Sequence, residues 1–281
     1  MPELPEVETT LRGVRPHLVG RRLESWTLRN TSLRWPVELP AVLRGQTFRD
    51  ARRRAKYLLL ELDSGMLVVH LGMSGSLRLV ARGTAPGTHD HLDLELEDGV
   101  VLRYNDPRRF GSVHWHSHEA EAHSGPQWLL RNLGPEPLGS EFSGAYLKAL
   151  ARRRRQAVKN FIMDGRVVVG VGNIYANEAL FLSGIRPTVQ ASRVTRAAYD
   201  SLADNIRYVL RQAIDVGGTT LRDFVGTQGE PGYFKQQLNV YGREGEPCRR
   251  CEAILKGVRI GQRASVYCPN CQRAQGFVAI R

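Results

Sequence analysis

The pattern of hydrophobic and polar positions along this 281-residue chain changes period more than once. Over residues 5–19, Val7, Leu11, Val14 and Leu18 recur at helical spacing and Pro5 is tolerable in a first turn, which predicts an amphipathic helix almost at the start. From residue 22 to about 116 the pattern turns to short apolar or alternating runs, at 22–29, 47–53, 57–62, 67–71, 77–81, 92–96, 100–104 and 111–116. Turn formers such as Asp63-Ser64-Gly65 and Glu97-Asp98-Gly99 separate them, as in an antiparallel sandwich or barrel. Beyond Pro135-Glu136-Pro137 a helical period governs 145–151, 157–163, 174–182 and 196–216. Two last runs, 253–260 and 263–267, flank Gly261-Gln262 and predict a β-hairpin. The expected class is α+β: an N-terminal helix with an antiparallel β-sandwich over 1–131, a helical domain over 132–239, and a hairpin domain over 240–281.

Composition adds a partner to this architecture. The hydrophobic fraction of 42% is ordinary for a globular chain, and no apolar stretch approaches a membrane span, so a soluble, unexported protein is expected. Lys and Arg outnumber Asp and Glu by 40 to 28, a net charge of +12. The first 131 residues carry a net +2 and the remainder +10, so the excess falls on the helices and the hairpin. Only five basic residues are lysines, and guanidinium forks suit phosphate oxygens; nucleic acid is the favoured partner.

The four cysteines, Cys248, Cys251, Cys268 and Cys271, form C-x2-C, sixteen residues, C-x2-C. Two thiolate pairs set apart by a hairpin's length of chain can supply four tetrahedral ligands to one structural Zn2+, with no coordination position left for water. Disulfides are the alternative, which an unexported chain disfavours.

The chain opens Met1-Pro2-Glu3-Leu4-Pro5-Glu6-Val7-Glu8. Removal of Met1 before a small residue would expose the secondary amine of Pro2, and an α-amino group, with a pKa of ~8 against ~10.4 for lysine, is far more often neutral and nucleophilic. Glu3 beside it can do acid/base work. Taken alone, the same residues are more usually just the start of a helix with acidic groups at its positive end.

Longer motifs decide between these readings. Met1 through Thr9, Arg53-Arg54-Ala55-Lys56-Tyr57, His70-Leu71-Gly72-Met73-Ser74-Gly75, Asp106-Pro107-Arg108-Arg109-Phe110-Gly111, Gly170-Val171-Gly172-Asn173-Ile174-Tyr175, Pro231-Gly232-Tyr233-Phe234 and the four cysteines together resemble the formamidopyrimidine-DNA glycosylase family, bacterial DNA-repair enzymes. The resemblance implies a bifunctional glycosylase and apurinic/apyrimidinic lyase that excises oxidised purines, such as 8-oxoguanine and formamidopyrimidines, from duplex DNA. Pro2 would attack C1′ and carry the Schiff base through β,δ-elimination. Glu3 would act as acid and base with Glu6 in support, Lys56 would meet the target phosphate in the active site, and Arg263 at the hairpin turn would hold phosphates near the lesion.

Met73, Arg108 and Phe110 resemble the family's void-filling residues, and their chemistry suits it: apolar side chains wedge a base stack and an arginine fork can pair with the orphaned base. Arg109 would serve the DNA backbone or hold the loop. The helices at 157–163 and 174–182 would form a helix-two-turn-helix element, with Asn173 as a capping amide at an anion-binding helix start and Lys159 as a further contact. His70 and Tyr241 are additional DNA contacts. The polar, glycine-rich stretch over 217–237 would close on the flipped base. His89-Asp90-His91 is read as structural hydrogen bonding rather than a second metal site, and the segment at 116–126 has no assigned role. The implied partner is damaged double-stranded DNA, met by a cytoplasmic, nucleoid-associated monomer without a nucleotide cofactor. An endonuclease VIII-like enzyme for oxidised pyrimidines, or a non-catalytic zinc-finger DNA-binding protein, are the alternatives.

Overall fold

The computed structural model describes residues 2–119, 127–217 and 238–274, and of residues 127 and 128 only the backbone. Met1, most of the segment at 116–126 and all but the first residue of the loop expected at 217–237 lie outside it. The chain divides into two compact units, one of residues 1–131 with 214–235, the other of 132–213 with 236–281.

The first unit begins with helix α1 (Leu4–Leu18). Its start is fixed by a reciprocal cap: the Glu6 carboxylate accepts the Glu3 N–H at 2.8 Å, and the Glu3 side chain accepts the Glu6 N–H. Eight strands follow in two antiparallel sheets. One has the order β1 (Leu23–Leu28), β6 (Asp90–Leu96), β7 (Val100–Asn105), β5 (Ser76–Ala81); the other β2 (Phe48–Arg54), β3 (Tyr57–Leu62), β4 (Gly65–His70), β8 (Ser112–Ser117). Val7, Leu11, Val14 and Leu18 of α1 meet Leu58, Leu60, Leu67 and Val69 of one sheet and Leu77, Leu94 and Leu102 of the other in one core, so the expected sandwich is the fold observed.

β4 starts two residues earlier than the apolar pattern indicates. Gly65 pairs with both Leu62 and Ser117, and a Cβ there would lie 2.3 Å from the His116 carbonyl oxygen, so this glycine serves close strand packing rather than a longer turn. The β2–β3 turn is two residues long, Ala55 and Lys56, and Ala55 takes the left-handed φ of +56°.

The second unit contains helices α3 (Gly144–Ala151), α4 (Val158–Met163), α5 (Asn173–Leu182) and most of α6 (Arg196–Asp215); the short α2 (Gln127–Arg131) precedes them in the first unit. β9 (Lys256–Ile260) and β10 (Arg263–Tyr267) form the hairpin around Gly261 and Gln262. Phe181 at the end of α5, Val240, Leu255 and Val266 enclose Cys248 and Cys268 in a small separate core. The helical region and the four-cysteine hairpin thus agree with the expected architecture.

α4 and α5 differ from the sequence reading in one consequential detail. Gly172, not Asn173, is the N-cap of α5; Asn173 is its first helical residue, and its Oδ1 is buried with no hydrogen-bond partner among the described residues. Among those residues no helix is long and apolar enough to cross a membrane.

Candidate functional site

Pro2 and Glu3 are buried at the entry to α1, where Glu3 is 1% and Glu6 0% exposed. Glu8, one turn further along α1, accepts Arg53 Nε at 2.9 Å, and Arg53 Nη1 donates to the Ala55 carbonyl at 2.9 Å. The turn that carries Lys56 is therefore tied to the helix that carries the chain start. Arg53 had no role in the sequence reading beyond motif membership; here its largely buried side chain fixes this turn.

His70 ends β4, and its ring packs at 4.8 Å against Tyr57. Its Nδ1 accepts the Gly72 N–H at 3.0 Å, which leaves Nε2 as the protonated nitrogen of a neutral ring. Burial, followed by the positive charges of Lys56 and Arg34 and opposed by Asp106, lowers its pKa from 6.5 to about 4. Lys56 and His70 thus share one electropositive neighbourhood.

The Met73 turn and the 106–111 loop are built around Asp106, which has no exposed surface. Its Oδ1 accepts the Ser74 hydroxyl at 2.7 Å and the Arg108 N–H at 3.3 Å; its Oδ2 accepts the Gly111 N–H at 2.8 Å and the Tyr104 hydroxyl at 3.3 Å. The His91 ring meets the Asp106 carbonyl at 2.9 Å, while Asp90 is taken up by Arg78 and Asn105. Hydrogen bonding accounts for this histidine pair's aspartate and second ring, and the four cysteines are the one metal-competent cluster among the described residues.

Gly72 and Gly111 pack back to back, since a Cβ on Gly72 would stand 2.4 Å from the Gly111 nitrogen. Arg109 adopts a left-handed φ of +54° between Arg108 and Phe110, both of which are exposed. The Arg108 guanidinium lies 5.0 Å from the Phe110 ring, which is 45% exposed. Met73, Arg108 and Phe110 therefore belong to one connected pair of loops. Asp106 was legible only as a letter of its motif, yet it holds both.

In the second unit Arg263 is exposed as the first residue of β10. Each of the next three residues is bound to a helix: Lys159 Nζ donates to the Ala264 carbonyl at 3.0 Å and the Ser265 hydroxyl at 2.6 Å, and the Val266 N–H donates to Asn177 Oδ1 at 3.0 Å. The expectation for Lys159 as an external DNA contact is corrected here. Its side chain has no exposed surface, and its ammonium anchors the hairpin from inside. Asn177 Nδ2 also donates to the Asn173 carbonyl at 2.6 Å, linking the hairpin to the start of α5.

Glu178, one residue further on, was not singled out by sequence. It is 2% exposed and accepts four hydrogen bonds: the Asn239 N–H at 2.8 Å and its side-chain amide at 3.0 Å on Oε2, and the Val240 and Tyr241 N–H groups, both at 2.9 Å, on Oε1. An acidic residue inside an otherwise apolar helix face was its only sequence signal. Tyr241 is held by its backbone, with its side chain half-buried.

The four cysteine sulfurs are free thiols lying within 4.8 Å of one another, with Cys251 and Cys268 at 3.4 Å and Cys248 and Cys271 at 4.0 Å. Tetrahedral coordination with metal–sulfur bonds of ~2.3 Å places sulfurs ~3.8 Å apart, so the cluster fits one metal ion.

A helix-and-sandwich unit, a helical unit and a four-cysteine hairpin thus carry the sequence motifs, and comparison with known proteins identifies the class as a DNA-repair glycosylase. Residues 1–113 match the model of the formamidopyrimidine-DNA glycosylase N-terminal domain, 133–225 that of the formamidopyrimidine-DNA glycosylase H2TH domain, and 245–274 a zinc finger found in FPG and IleRS. The formamidopyrimidine-DNA glycosylase of Alcanivorax borkumensis is 57% identical over 97% of this chain and 100% of its own length. A mutant of the Lactococcus lactis FPG, solved with DNA containing Fapy-dG, superposes with a TM-score of 0.88 at 33% identity, covering 97% of this chain and 100% of the other. The MutM (FPG) protein of Thermus thermophilus gives 0.86 at 35% identity, with 96% and 98% covered. The chain belongs to the formamidopyrimidine-DNA glycosylase family.

Two predictions follow from this geometry. Because the folded His70 pKa lies below its ordinary 6.5, the unfolded chain binds the extra proton between pH 6.5 and about 4. The stability present above that window is lost as pH falls through it; unfolding titrations of His70→Asn should show a shallower loss there than the parent. Second, Glu178→Ala removes a charged acceptor from the amides of Val240 and Tyr241. At ~1.5–3 kcal/mol per such bond, these amides should exchange about ten- to a hundredfold faster. Unchanged exchange would count against the clamp.

Proposed function

We propose that this glycosylase is bifunctional, excising oxidised purines, 8-oxoguanine and formamidopyrimidines among them, and then cutting the strand as an apurinic/apyrimidinic lyase. With Met1 removed, the Pro2 nitrogen attacks C1′ of the damaged nucleotide; the C1′–base bond breaks and its electron pair leaves with the base. Opening of the sugar ring gives an iminium between Pro2 and C1′. Loss of the C2′ proton expels the 3′ phosphate, a second elimination expels the 5′ phosphate, and water releases the sugar fragment. Glu3 carries the protons of ring opening and elimination, and Glu6 keeps it in place through the cap of α1.

The observation that carries this reading is the Pro2-Glu3 start set into the capped entry of α1, in a chain whose relative of known structure was solved on Fapy-dG, a ring-opened purine. Extruding a nucleotide leaves a void, and the exposed Arg108–Phe110 pair with Met73 on the adjoining turn is suited to fill it. Lys56, His70 and Arg109 serve the phosphates on the first unit; Arg263, Asn173 and Tyr241 do so on the second. The four thiols would hold one Zn2+, which with four cysteine ligands would supply shape to the hairpin rather than an activated water. The protein works as a monomer on duplex DNA in the bacterial cytoplasm and needs no nucleotide cofactor.

Borohydride reduction of the protein, free of Met1 and loaded with zinc, on duplex DNA with 8-oxoguanine opposite cytosine should trap a covalent adduct. Absence of that adduct would sink the lyase mechanism, and stronger trapping on thymine glycol would move the substrate to oxidised pyrimidines. Independently, Arg263→Ala should lower the slope of log affinity against log salt by about one phosphate's worth while zinc stays bound. An unchanged slope removes Arg263 from the phosphate contacts.

A further inference from the structure

A cleft of about 270 Å³ opens in the first unit beside the wedge loop, lined by Arg34, Trp35, Tyr57, His70, Phe110 and Ser112 among others. None of the glycosylase steps above uses Arg34 or Trp35. Among the described residues three aromatic side chains are strongly exposed, Trp35 at 39%, Phe110 at 45% and Tyr208 at 55%, and two of the three face this one cleft. Exposed aromatic rings gathered on one cleft, rather than scattered singly, are the arrangement expected of a binding surface.

The cleft is cationic as well as aromatic. The Arg34 guanidinium lies 5.9 Å from the Trp35 ring, and its charge reaches both His70 and Tyr57. Lys56 adds a second positive charge near His70, whose Nε2 is left as a hydrogen-bond donor. An apolar peptide would gain nothing from these charges, and a bare anion would gain nothing from the rings. A planar heterocycle attached to a phosphate uses both.

The position of the cleft says which one. The Arg34 N–H donates to the Gly111 carbonyl at 3.2 Å, so the Arg34–Trp35 segment is fastened to the loop that presents Phe110. When a wedge enters a base step, the neighbouring base loses a stacking face. Trp35, fixed to the same loop, offers a replacement face, and base–aromatic stacking is tolerant of sequence.

We propose that the Arg34–Trp35 cleft is a nucleotide subsite, in which Trp35 stacks on the base next to the wedged step and Arg34 holds that nucleotide's phosphate. This rests on the reading of Met73, Arg108 and Phe110 as void fillers. It assigns to the enzyme a contact with a specific undamaged nucleotide, which steadies the opened duplex beside the lesion.

The test uses the full-length protein and duplexes with a central tetrahydrofuran abasic analogue, carrying 2-aminopurine at each neighbouring position of either strand in turn. One position should be quenched in the complex and brighten with Trp35→Ala, which should also weaken binding about tenfold; Trp35→Phe should restore both. Arg34→Ala should reduce the salt slope by about one while the same position stays quenched. Trp35→Ala that binds within about twofold of the parent with no position changed would overturn the subsite. So would equal weakening by Trp35→Ala and Trp35→Phe with an unaltered fluorescence pattern, since that assigns Trp35 to folding. Borohydride trapping by the unaltered protein is read separately: its failure beside an intact fluorescence pattern would remove the Pro2 chemistry and leave the subsite.

Discussion

A carboxylate withdrawn from water must be surrounded by donors, and this requirement shapes three of the segments described above. Glu6 collects the Glu3 N–H and so fixes the start of α1; Asp106 collects Ser74, Arg108, Gly111 and Tyr104 and so shapes two loops. Glu178 collects Asn239, Val240 and Tyr241. In each case most of the donors are backbone N–H groups or belong to residues adjoining the expected site. The acidic groups thus spend their acceptor oxygens on the chain's own N–H and O–H donors, and so set the course of the backbone around them.

The same economy appears in the backbone. Three non-glycine residues in the described chain have positive φ, and two of them, Ala55 and Arg109, stand next to Lys56 and between Arg108 and Phe110. Such conformations cost of order 1–3 kcal/mol and persist where the surroundings determine them. The Arg53 bond to the Ala55 carbonyl and the Asp106 carbonyl bond to the Arg109 N–H are those surroundings.

Much of the fold was legible because its signals are local. The spacing of Val7, Leu11, Val14 and Leu18 reports α1, the alternating runs report the sandwich strands, and the two C-x2-C pairs report the metal cluster. Lys159 and Glu178 were not legible, for a common reason. A lysine or glutamate on a helix reads as solvated, and what removes the water is chain lying far along the sequence: residues 264 and 265 for one, 239–241 for the other. Gly65 misled in the opposite direction, reading as part of a turn when its missing side chain admits the β8 backbone. Asn173 was placed correctly at a helix start but one position off, since a cap and a first helical residue differ only in backbone geometry.

The long reach of Lys159 also bears on how the molecule comes into being. Its acceptors follow it by 105 and 106 residues, so during synthesis α4 is made well before the hairpin that receives its ammonium. A charge enclosed without acceptors is costly, by about 3–5 kcal/mol where one partner of a buried pair is missing. The helical unit therefore has reason to stay open, with Lys159 in water, until the cysteine-bearing end has emerged and closed. Closure of the buried lysine site under α4 is in this way made conditional on the C-terminal hairpin that supplies both acceptors.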